Sequence, residues 1–332
     1  MSRREGVEIT VKVTQEGKIQ QKDGVLAMKK YEFTEKTRIV QNGCEETKLH
    51  RIRAVNTFGN VKAGDIGGWI ESEECLSHDG DAWVYGDAIV SGKACICDNA
   101  QVYGNAWVYG KARVCDEARV YDEAQVYGEA WIYDEARVYG KAWIYGDTWI
   151  RENAQVCGKA RICDEARILG EAWVCDDAIV SGKACICENA QVCGNAWVYG
   201  NARVFDEARI CDEARVYGKA WIYDEVQVCG KARIYGEASV NGKAWICDKA
   251  RIRSTENVLT VGPIGSRNDF ATFYSGEKEI LVKCGCFCGS ISEFLEKVRE
   301  THGNGRHALV YQAVAETACR QIIPQDMRET RP

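Results

Sequence analysis

The sequence predicts an all-β solenoid, namely a three-sided parallel β-helix of nearly ten coils with about eighteen residues in each coil. Three observations carry this prediction. A hexapeptide pattern runs without insertion or deletion from Ala82 to Ala250, giving 29 repeats. Alanine occupies the first position of 27 repeats, and Val or Ile occupies the third position of all 29. Residues 87–146 match residues 177–236 at 48 of 60 positions, an offset of 90 residues, which is five times eighteen.

The hexad explains why the interior is expected to be uniform. We name its positions a to f, with Ala82 at a. On a short strand, positions a and c point to one side and positions b and d to the other, so that e and f form a corner. Alanine plus a β-branched residue every six positions fits neither a helical period nor a heptad. It fits stacked short strands around a filled interior, in a rod roughly 45–50 Å long.

Sorting the array by eighteen also sorts its chemistry, and this predicts three hexads per coil. We call a set of equivalent positions eighteen residues apart a column, and three columns are candidate interaction ladders. The first lies at position d and comprises Tyr85, Tyr103, Tyr121, Tyr139, Cys157, Cys175, Cys193, Cys211, Cys229 and Cys247. The second, also at d, comprises Tyr109, Tyr127, Tyr145, Tyr199, Tyr217 and Tyr235. The third lies at the corner position e and comprises Asp98, Asp116, Asp134, Glu152, Glu188, Asp206 and Asp224.

Position b holds nine tryptophans, which we expect to point away from the interior. They are Trp83, Trp107, Trp131, Trp143, Trp149, Trp173, Trp197, Trp221 and Trp245. So many surface aromatics usually mark a contact with flanking segments, with a second copy or with a partner protein. Stacking between neighbouring coils is the alternative. The thiols of the first column are interpreted as tolerated replacements for tyrosine on an outer surface, with thiol reactivity or capture of a soft metal as the alternative.

Composition narrows the classes of function. The net charge of −6 does not favour direct nucleic-acid binding, and no apolar run is long enough to cross a membrane. The 18 cysteines occur without a signal-peptide pattern, so we expect reduced thiols and a cytoplasmic location. With position f included, the acidic corner comprises Asp98, Asp116, Glu117, Asp134, Glu135, Glu152, Glu171, Glu188, Asp206, Glu207, Asp224 and Glu225. It is either a solvated edge or a mimic of a nucleic-acid backbone, partly neutralised by Arg113, Arg167 and Arg203.

Two stretches resemble known families. The Ala-x-Val-x-Gly-x rhythm resembles the hexapeptide-repeat proteins, which include many acyl- and acetyltransferases and fold as left-handed three-sided β-helices. The flank "GDIGGWIESEECLSHDGDAWVYGDA", residues 64–88, is similar to YdcK-like acetyltransferases and to related prophage proteins, and the resemblance covers about residues 28–254. In the family's usual motif glycine directly follows the aliphatic residue, whereas here it follows one residue later. The resemblance favours a left-handed helix, but this departure from the motif weakens that inference and leaves a right-handed three-sided helix of the bactofilin kind open.

The flanks divide the chain into four expected units: an extension over 1–27, a β cap over 28–75, the β-helix over 76–254 and an α+β unit over 255–332. In the last unit, Ser290 and Glu293 form a capping-box pattern, and Gly303 stops the first helix. A second helix is expected from about Arg306 to Ile322.

No catalytic residue, cofactor site or metal site is predicted. The resemblance implies a histidine base, but His50, His78, His302 and His307 all lie outside the hexads, and His78 is expected to be a polar cap residue. Cys-x-Cys spacing is poor for one tetrahedral zinc site. The candidates for such a site were Cys284, Cys286, Cys288, His302, His307 and Cys319.

The leading hypothesis is a non-catalytic scaffold or protein-interaction protein, related to phage or prophage proteins, that binds a partner protein or a second copy of itself. The first alternative is an acetyltransferase-like enzyme of the hexapeptide family. The second is an acidic-edge decoy that acts on a nucleic-acid-binding protein.

Overall fold

The rod is built from two-residue strands, one per hexad, at positions b and c. The structure is a computed structural model that describes residues 20–22, 25–27, 29–42 and 45–324. Each strand pairs in parallel with the strand eighteen residues away, so that Trp131 pairs with Trp149 and Ile132 with Ile150. The strands form three parallel sheets, which confirms the predicted three-sided coil of about eighteen residues. The left hand of the helix stays a prediction.

We call the three sheets the first, second and third faces. The first face contains Ile89–Val90, Trp107–Val108, Gln125–Val126, Trp143–Ile144, Arg161–Ile162, Ile179–Val180, Trp197–Val198, Arg215–Val216, Arg233–Ile234 and Arg251–Ile252. The second face contains Cys95–Ile96, Arg113–Val114, Trp131–Ile132, Trp149–Ile150, Arg167–Ile168, Cys185–Ile186, Arg203–Val204, Trp221–Ile222 and Ser239–Val240. The third face contains Trp83–Val84, Gln101–Val102, Arg119–Val120, Arg137–Val138, Gln155–Val156, Trp173–Val174, Gln191–Val192, Arg209–Ile210, Gln227–Val228 and Trp245–Ile246.

The interior of the rod is filled by the residues at a and c. The alanines and the branched residues of the hexads are buried along the whole array. Both exceptions at position a are accommodated, because Thr148 and Val226 are each 0% exposed. The Oγ1 atom of Thr148 has no hydrogen-bond partner among the described residues. A dry interior of this kind leaves the outer faces and the two ends as places for recognition.

The corners require a left-handed backbone at position e, and this explains the residues found there. Gly128 has φ +77°, and a Cβ atom placed on it would lie 2.8 Å from the backbone N of Gly146 in the next coil. Asp164 has φ 63°. Its Oδ2 atom accepts a hydrogen bond from the backbone N–H of Gly182, eighteen residues on, at 2.9 Å. Aspartate is thus tolerated in the left-handed region and is tied to the next coil.

Within the described residues, the N-terminal cap contains three strands, and a separate two-stranded sheet precedes it. A short antiparallel pair is formed by β1 (Gln20–Lys22) and β2 (Val25–Ala27). The strands β3 (Tyr31–Asn42), β4 (Glu45–Ala54) and β5 (Ile66–Ile70) are antiparallel, and β5 pairs in parallel with Ile89–Val90 to extend the first face. The remaining residues of the expected 1–27 extension lie outside the described residues.

The cap covers the first of the nine array tryptophans, and contact with a flanking segment was one of the alternatives for these outward-pointing rings. Trp83 is only 1% exposed. The rings of Tyr31 and Phe58 pack edge-on against it, with centroids 6.1 and 5.4 Å away. Position b of the first coil does face outward, but the cap folds over it, so that this tryptophan belongs to the core.

The C-terminal unit closes the other end of the rod. The strands β6 (Val258–Ile264), β7 (Asp269–Ser275), β8 (Ile280–Cys284) and β9 (Phe287–Ser290) form an antiparallel sheet. Two helices follow, α1 (Ile291–His302) and α2 (Arg306–Gln321), and the capping box of Ser290 and Glu293 is confirmed. On β7, the Oγ1 atom of Thr272 accepts a hydrogen bond from the backbone N–H of Trp245 at 3.0 Å. The side chain of Tyr274, also on β7, is fully buried against the core of the rod.

Candidate interaction surface

Large aromatic side chains project from all three faces. Seven tryptophans of the array are 38–44% exposed, namely Trp131, Trp143, Trp149, Trp173, Trp197, Trp221 and Trp245. Arginines of adjacent coils lie over several of these rings, as Arg215 does over Trp197, with 4.9 Å from Cζ to the ring centroid. Such stacks hold the rings in fixed positions while part of each ring stays exposed to solvent.

On the second face the aromatic residues gather into a first patch. Patch 1 comprises Arg113, Trp131, Tyr133 and Trp149. The guanidinium of Arg113 lies 4.8 Å from the ring centroid of Trp131. The rings of Trp131 and Trp149 stack with centroids 6.0 Å apart, and Tyr133 packs edge-on against Trp131 at 6.5 Å. Both tryptophans are 38% exposed.

A second patch repeats the first on the same face. Patch 2 comprises Arg203, Phe205, Trp221 and Tyr223. The guanidinium of Arg203 lies 5.0 Å from the ring centroid of Trp221, and Phe205 stacks on Tyr223 with centroids 5.2 Å apart. Arg113, Trp131 and Tyr133 each precede their counterparts by 90 residues. The internal duplication has therefore placed two similar patches five coils apart, a separation of about 24 Å.

A groove of about 500 Å³ lies on the second face beside patch 2. Its lining residues are Glu165, Arg167, Lys183, Cys185, Cys187, Asn201, Arg203, Phe205 and Trp221. Arg167, Cys185 and Arg203 are consecutive members of one column. The small Cys185 side chain between two long arginines leaves the depression open, and the arginines give it a positive wall.

The thiol of Cys185 is the more acidic member of a pair with Cys187. A hydrogen bond from Cys187 lowers the pKa of Cys185 to about 7; burial opposes this shift, and the arginines at 203, 167 and 151 add to it. The pKa of Cys187 is raised by the same hydrogen bond, by burial and by nearby acids that include Glu188 and Asp206. The hydrogen bond from Cys187, with a smaller contribution from the arginines, thus makes Cys185 the more acidic thiol of the pair.

Cys185 is therefore expected to react with iodoacetamide faster than Cys187, with a rate that rises through about pH 7. Peptide mass mapping after brief alkylation over a series of pH values measures this rate. The variant Arg203→Gln removes a nearby positive charge, which raises the pKa of Cys185 and slows its alkylation at pH 7. Arg209→Gln, on the third face, is the matched control and should leave the profile unchanged. An identical pH profile in Arg203→Gln would contradict the assignment.

The predicted tyrosine ladders exist as regular stacks. In the first column, Tyr103, Tyr121 and Tyr139 stack with ring centroids 4.9 Å apart at each step. In the second column, Tyr109 and Tyr127 stack at 4.8 Å and Tyr199 and Tyr217 at 4.9 Å. These rings support one another from coil to coil, as the stacking alternative required.

Two of the six cysteines of the first column are buried, whereas the other four are half-buried. Cys157 is 8% exposed and Cys247 is 7% exposed, because larger neighbours cover these short side chains. The indole Nε1–H of Trp173 donates a hydrogen bond to the Sγ atom of Cys157 at 3.2 Å. Cys157 and Cys247 are thus buried, although their position in the hexad faces outward.

The acidic column lies at a corner of the rod, where several of its side chains bond to the next coil. The Oδ2 atom of Asp206 accepts a hydrogen bond from the backbone N–H of Asp224 at 3.1 Å, and that of Asp224 accepts one from Gly242 at 2.7 Å. Glu225 forms an ion pair with Lys243 at 3.1 Å. Several of these carboxylates therefore have structural partners, and their role toward a decoy target stays a prediction.

The predicted histidine and zinc candidates do not gather into one site. The Nδ1 atom of His78 accepts a hydrogen bond from the backbone N–H of Lys30 at 3.2 Å, and its ring stacks on Tyr31 at 4.4 Å. Burial lowers the pKa of His78. Among the described residues, only Cys288 of the zinc candidates lies in a cluster that could hold a metal, together with Cys247 and Asp248. Sequence spacing missed this cluster because it joins the rod to the C-terminal unit.

Comparison with known proteins agrees with the repeat architecture. The family model described as "YdcK Beta solenoid repeat" matches residues 100–116, 190–206 and 208–224. A stretch of 79 residues, 22% of this chain, is 37% identical to the protein named "Uncharacterized acetyltransferase YdcK" of Escherichia coli strain K12. The match covers 24% of that protein, so the chain spans about a quarter of the length of the relative. Within the described parts of the chain, no helix has the length and apolar character needed to span a membrane.

Proposed function

We propose that this β-solenoid with YdcK-type repeats is a non-catalytic interaction scaffold that binds a protein segment across its second face. The observation that carries the proposal is the pair of patches. In each patch an arginine stacks on a partly exposed tryptophan beside further aromatic rings. Tryptophan, tyrosine and arginine dominate the residues whose removal costs most at protein interfaces. The rod supplies the rigid support that such residues need.

The charge of the second face indicates the chemistry of the partner. Arg113, Arg167 and Arg203 form no ion pair with any described residue, and the stacked tryptophans hold their guanidinium groups in place. Guanidinium groups favour carboxylates, with which they can form two parallel hydrogen bonds. The segment we propose therefore carries acidic side chains next to apolar or aromatic ones.

The test compares two variants in affinity capture followed by reconstitution. Trp131→Ala combined with Trp221→Ala removes the centre of both patches, whereas Trp173→Ala removes an equally exposed ring from the third face. We expect a partner that is captured by the wild type and by Trp173→Ala but not by the double variant. With purified components, titration calorimetry should show affinity for the double variant lowered by at least about tenfold.

Equal binding by the double variant and the wild type would contradict the proposal. Light scattering after size exclusion shows whether the bound partner is a second copy of the chain. In that case the double variant should be monomeric under conditions in which Trp173→Ala still associates.

A second candidate function is acetyl transfer, which the name of the Escherichia coli relative favours. Acetyl transfer requires binding of acetyl-CoA, so titration calorimetry with that cofactor decides between an enzyme and a scaffold. A scaffold is expected to give no heat of binding, whereas saturable binding at one site per chain would favour the enzyme.

The cellular setting is also part of the proposal. We propose a cytoplasmic location, in which 18 cysteines stay reduced, and a prophage origin of the gene, which rests on the resemblance suggested by residues 64–88. The genes that neighbour its own would check the prophage origin.

A further inference from the structure

Three potential metal ligands meet where the C-terminal unit contacts the last coil. The Sγ atoms of Cys247 and Cys288 are 2.9 Å apart, and the Sγ atom of Cys288 lies 2.8 Å from the Oδ2 atom of Asp248. The hydroxyl of Tyr274 lies 3.1 Å from Cys247 Sγ and 3.7 Å from Cys288 Sγ. Cys247 is buried, while Cys288 and Asp248 are open to solvent on one side.

Asp248 differs from the other aspartates of its column. The Oδ2 atom of Asp212 accepts a hydrogen bond from the backbone N–H of Gly230 in the next coil at 2.9 Å, and Asp176 binds Gly194 in the same way at 3.0 Å. Asp248 is the last member of this column, and the Cys288 thiol stands where the next coil would supply an N–H group. Its carboxylate is thus free to act as a ligand together with the two sulfurs.

We propose that Cys247, Asp248 and Cys288 form a binding site for a thiophilic divalent cation of the zinc class. Zinc takes thiolate sulfur at about 2.3 Å and carboxylate oxygen at about 2.0–2.2 Å. Two sulfurs on one tetrahedral ion lie roughly 3.7 Å apart, so the exposed Cys288 side chain would move by less than about 1 Å. Water completes the tetrahedron on the open side, and the Tyr274 hydroxyl donates a hydrogen bond to the Cys247 sulfur.

The site lies at the junction of two units that the buried ring of Tyr274 and the hydrogen bond from Trp245 to Thr272 also hold together. Cys247 and Asp248 belong to the rod, whereas Cys288 lies on β9 of the C-terminal unit. A cation bound by all three clamps the unit over the exposed end of the coils. Metal binding is therefore expected to slow exchange of the Trp245 amide, which donates to Thr272 across the same junction.

The experiment titrates the reduced, metal-free full chain with Co²⁺ and then displaces this ion with Zn²⁺. We expect one equivalent of Co²⁺ whose binding depends on Cys288, with an intense sulfur-to-metal absorption band that Zn²⁺ removes. The variant Cys288→Ser should weaken binding by about a hundredfold or more, since it removes a ligand. Cys288 is exposed, so this variant is expected to fold.

The matched control is Cys286→Ser, which removes an exposed thiol two residues away and should keep full binding. Equal Co²⁺ binding by Cys288→Ser and Cys286→Ser would overturn the proposal, because the other thiols of the chain would then be responsible. It would also be overturned if the wild type bound no equivalent, or if titration of free thiols showed a Cys247–Cys288 disulfide in its place. Slower exchange of the Trp245 amide only in the metal-loaded wild type would support the clamp.

Discussion

Replacing Trp83 with alanine is expected to lower the free energy of unfolding of the N-terminal end by about 3–5 kcal/mol. The indole is 1% exposed and packs against Tyr31 and Phe58 of the cap. A Cβ atom on Gly67 would lie 2.6 Å from the same ring, which shows how closely the backbone of β5 covers it. Because solenoids lose structure from weak units first, native-state hydrogen exchange should show the loss in the cap and the first coil.

Trp221→Ala is the matched control, since Trp221 occupies the same hexad position but is 43% exposed. Its effect on stability is expected to be clearly smaller than that of Trp83→Ala, because the ring is partly exposed and its removal leaves no cavity in the core. If both variants lowered the midpoint of thermal unfolding equally, the structural distinction between a capped and a free tryptophan would be wrong.

Replacing Tyr274 with alanine is expected to release the C-terminal unit from the rod, at a cost of about 3–5 kcal/mol in docking free energy. The ring is fully buried against the rod core. It lies on β7 near Thr272, whose hydroxyl accepts a hydrogen bond from the backbone N–H of Trp245. Limited proteolysis between residues 253 and 258 reports the release, together with faster exchange of the Trp245 amide.

Tyr274→Phe tests whether the ring or the hydroxyl is responsible. It keeps the buried ring and removes only the hydroxyl near Cys247, so a loss of no more than about 1.5 kcal/mol is expected. Full release of the unit by Tyr274→Phe would show that the hydrogen bond, rather than the packing, holds the junction.

The fold of the rod could be predicted from the sequence because every coil packs against coils with the same interior residue types. Ala106 and Val108 can be placed from the hexad alone, since the coils above and below present the same residue types. Trp83 could not, because its burial depends on Tyr31 and Phe58, which are distant in sequence and follow no repeat. The contact between Asp248 and Cys288 could not be predicted either, because it depends on how the C-terminal unit docks on the rod.

The groove on the second face is partly predictable from the sequence. Its residues Arg167, Cys185 and Arg203 are consecutive members of one column, so that sorting position b by eighteen would have placed them together. The predicted tyrosine, cysteine and acidic ladders lie instead at positions d and e. The acidity of Cys185 still required the structure, because it depends on side-chain distances and burial rather than on order along the chain.

The duplication that produced patches 1 and 2 has a consequence for affinity. Two similar sites on one rigid face, about 24 Å apart, make the rod bivalent. A partner with two suitable segments at that spacing binds the second site at a high effective concentration, so that two weak contacts give strong avidity. A partner whose segments are spaced differently gains nothing, and the number of coils between the patches thereby becomes a determinant of selectivity.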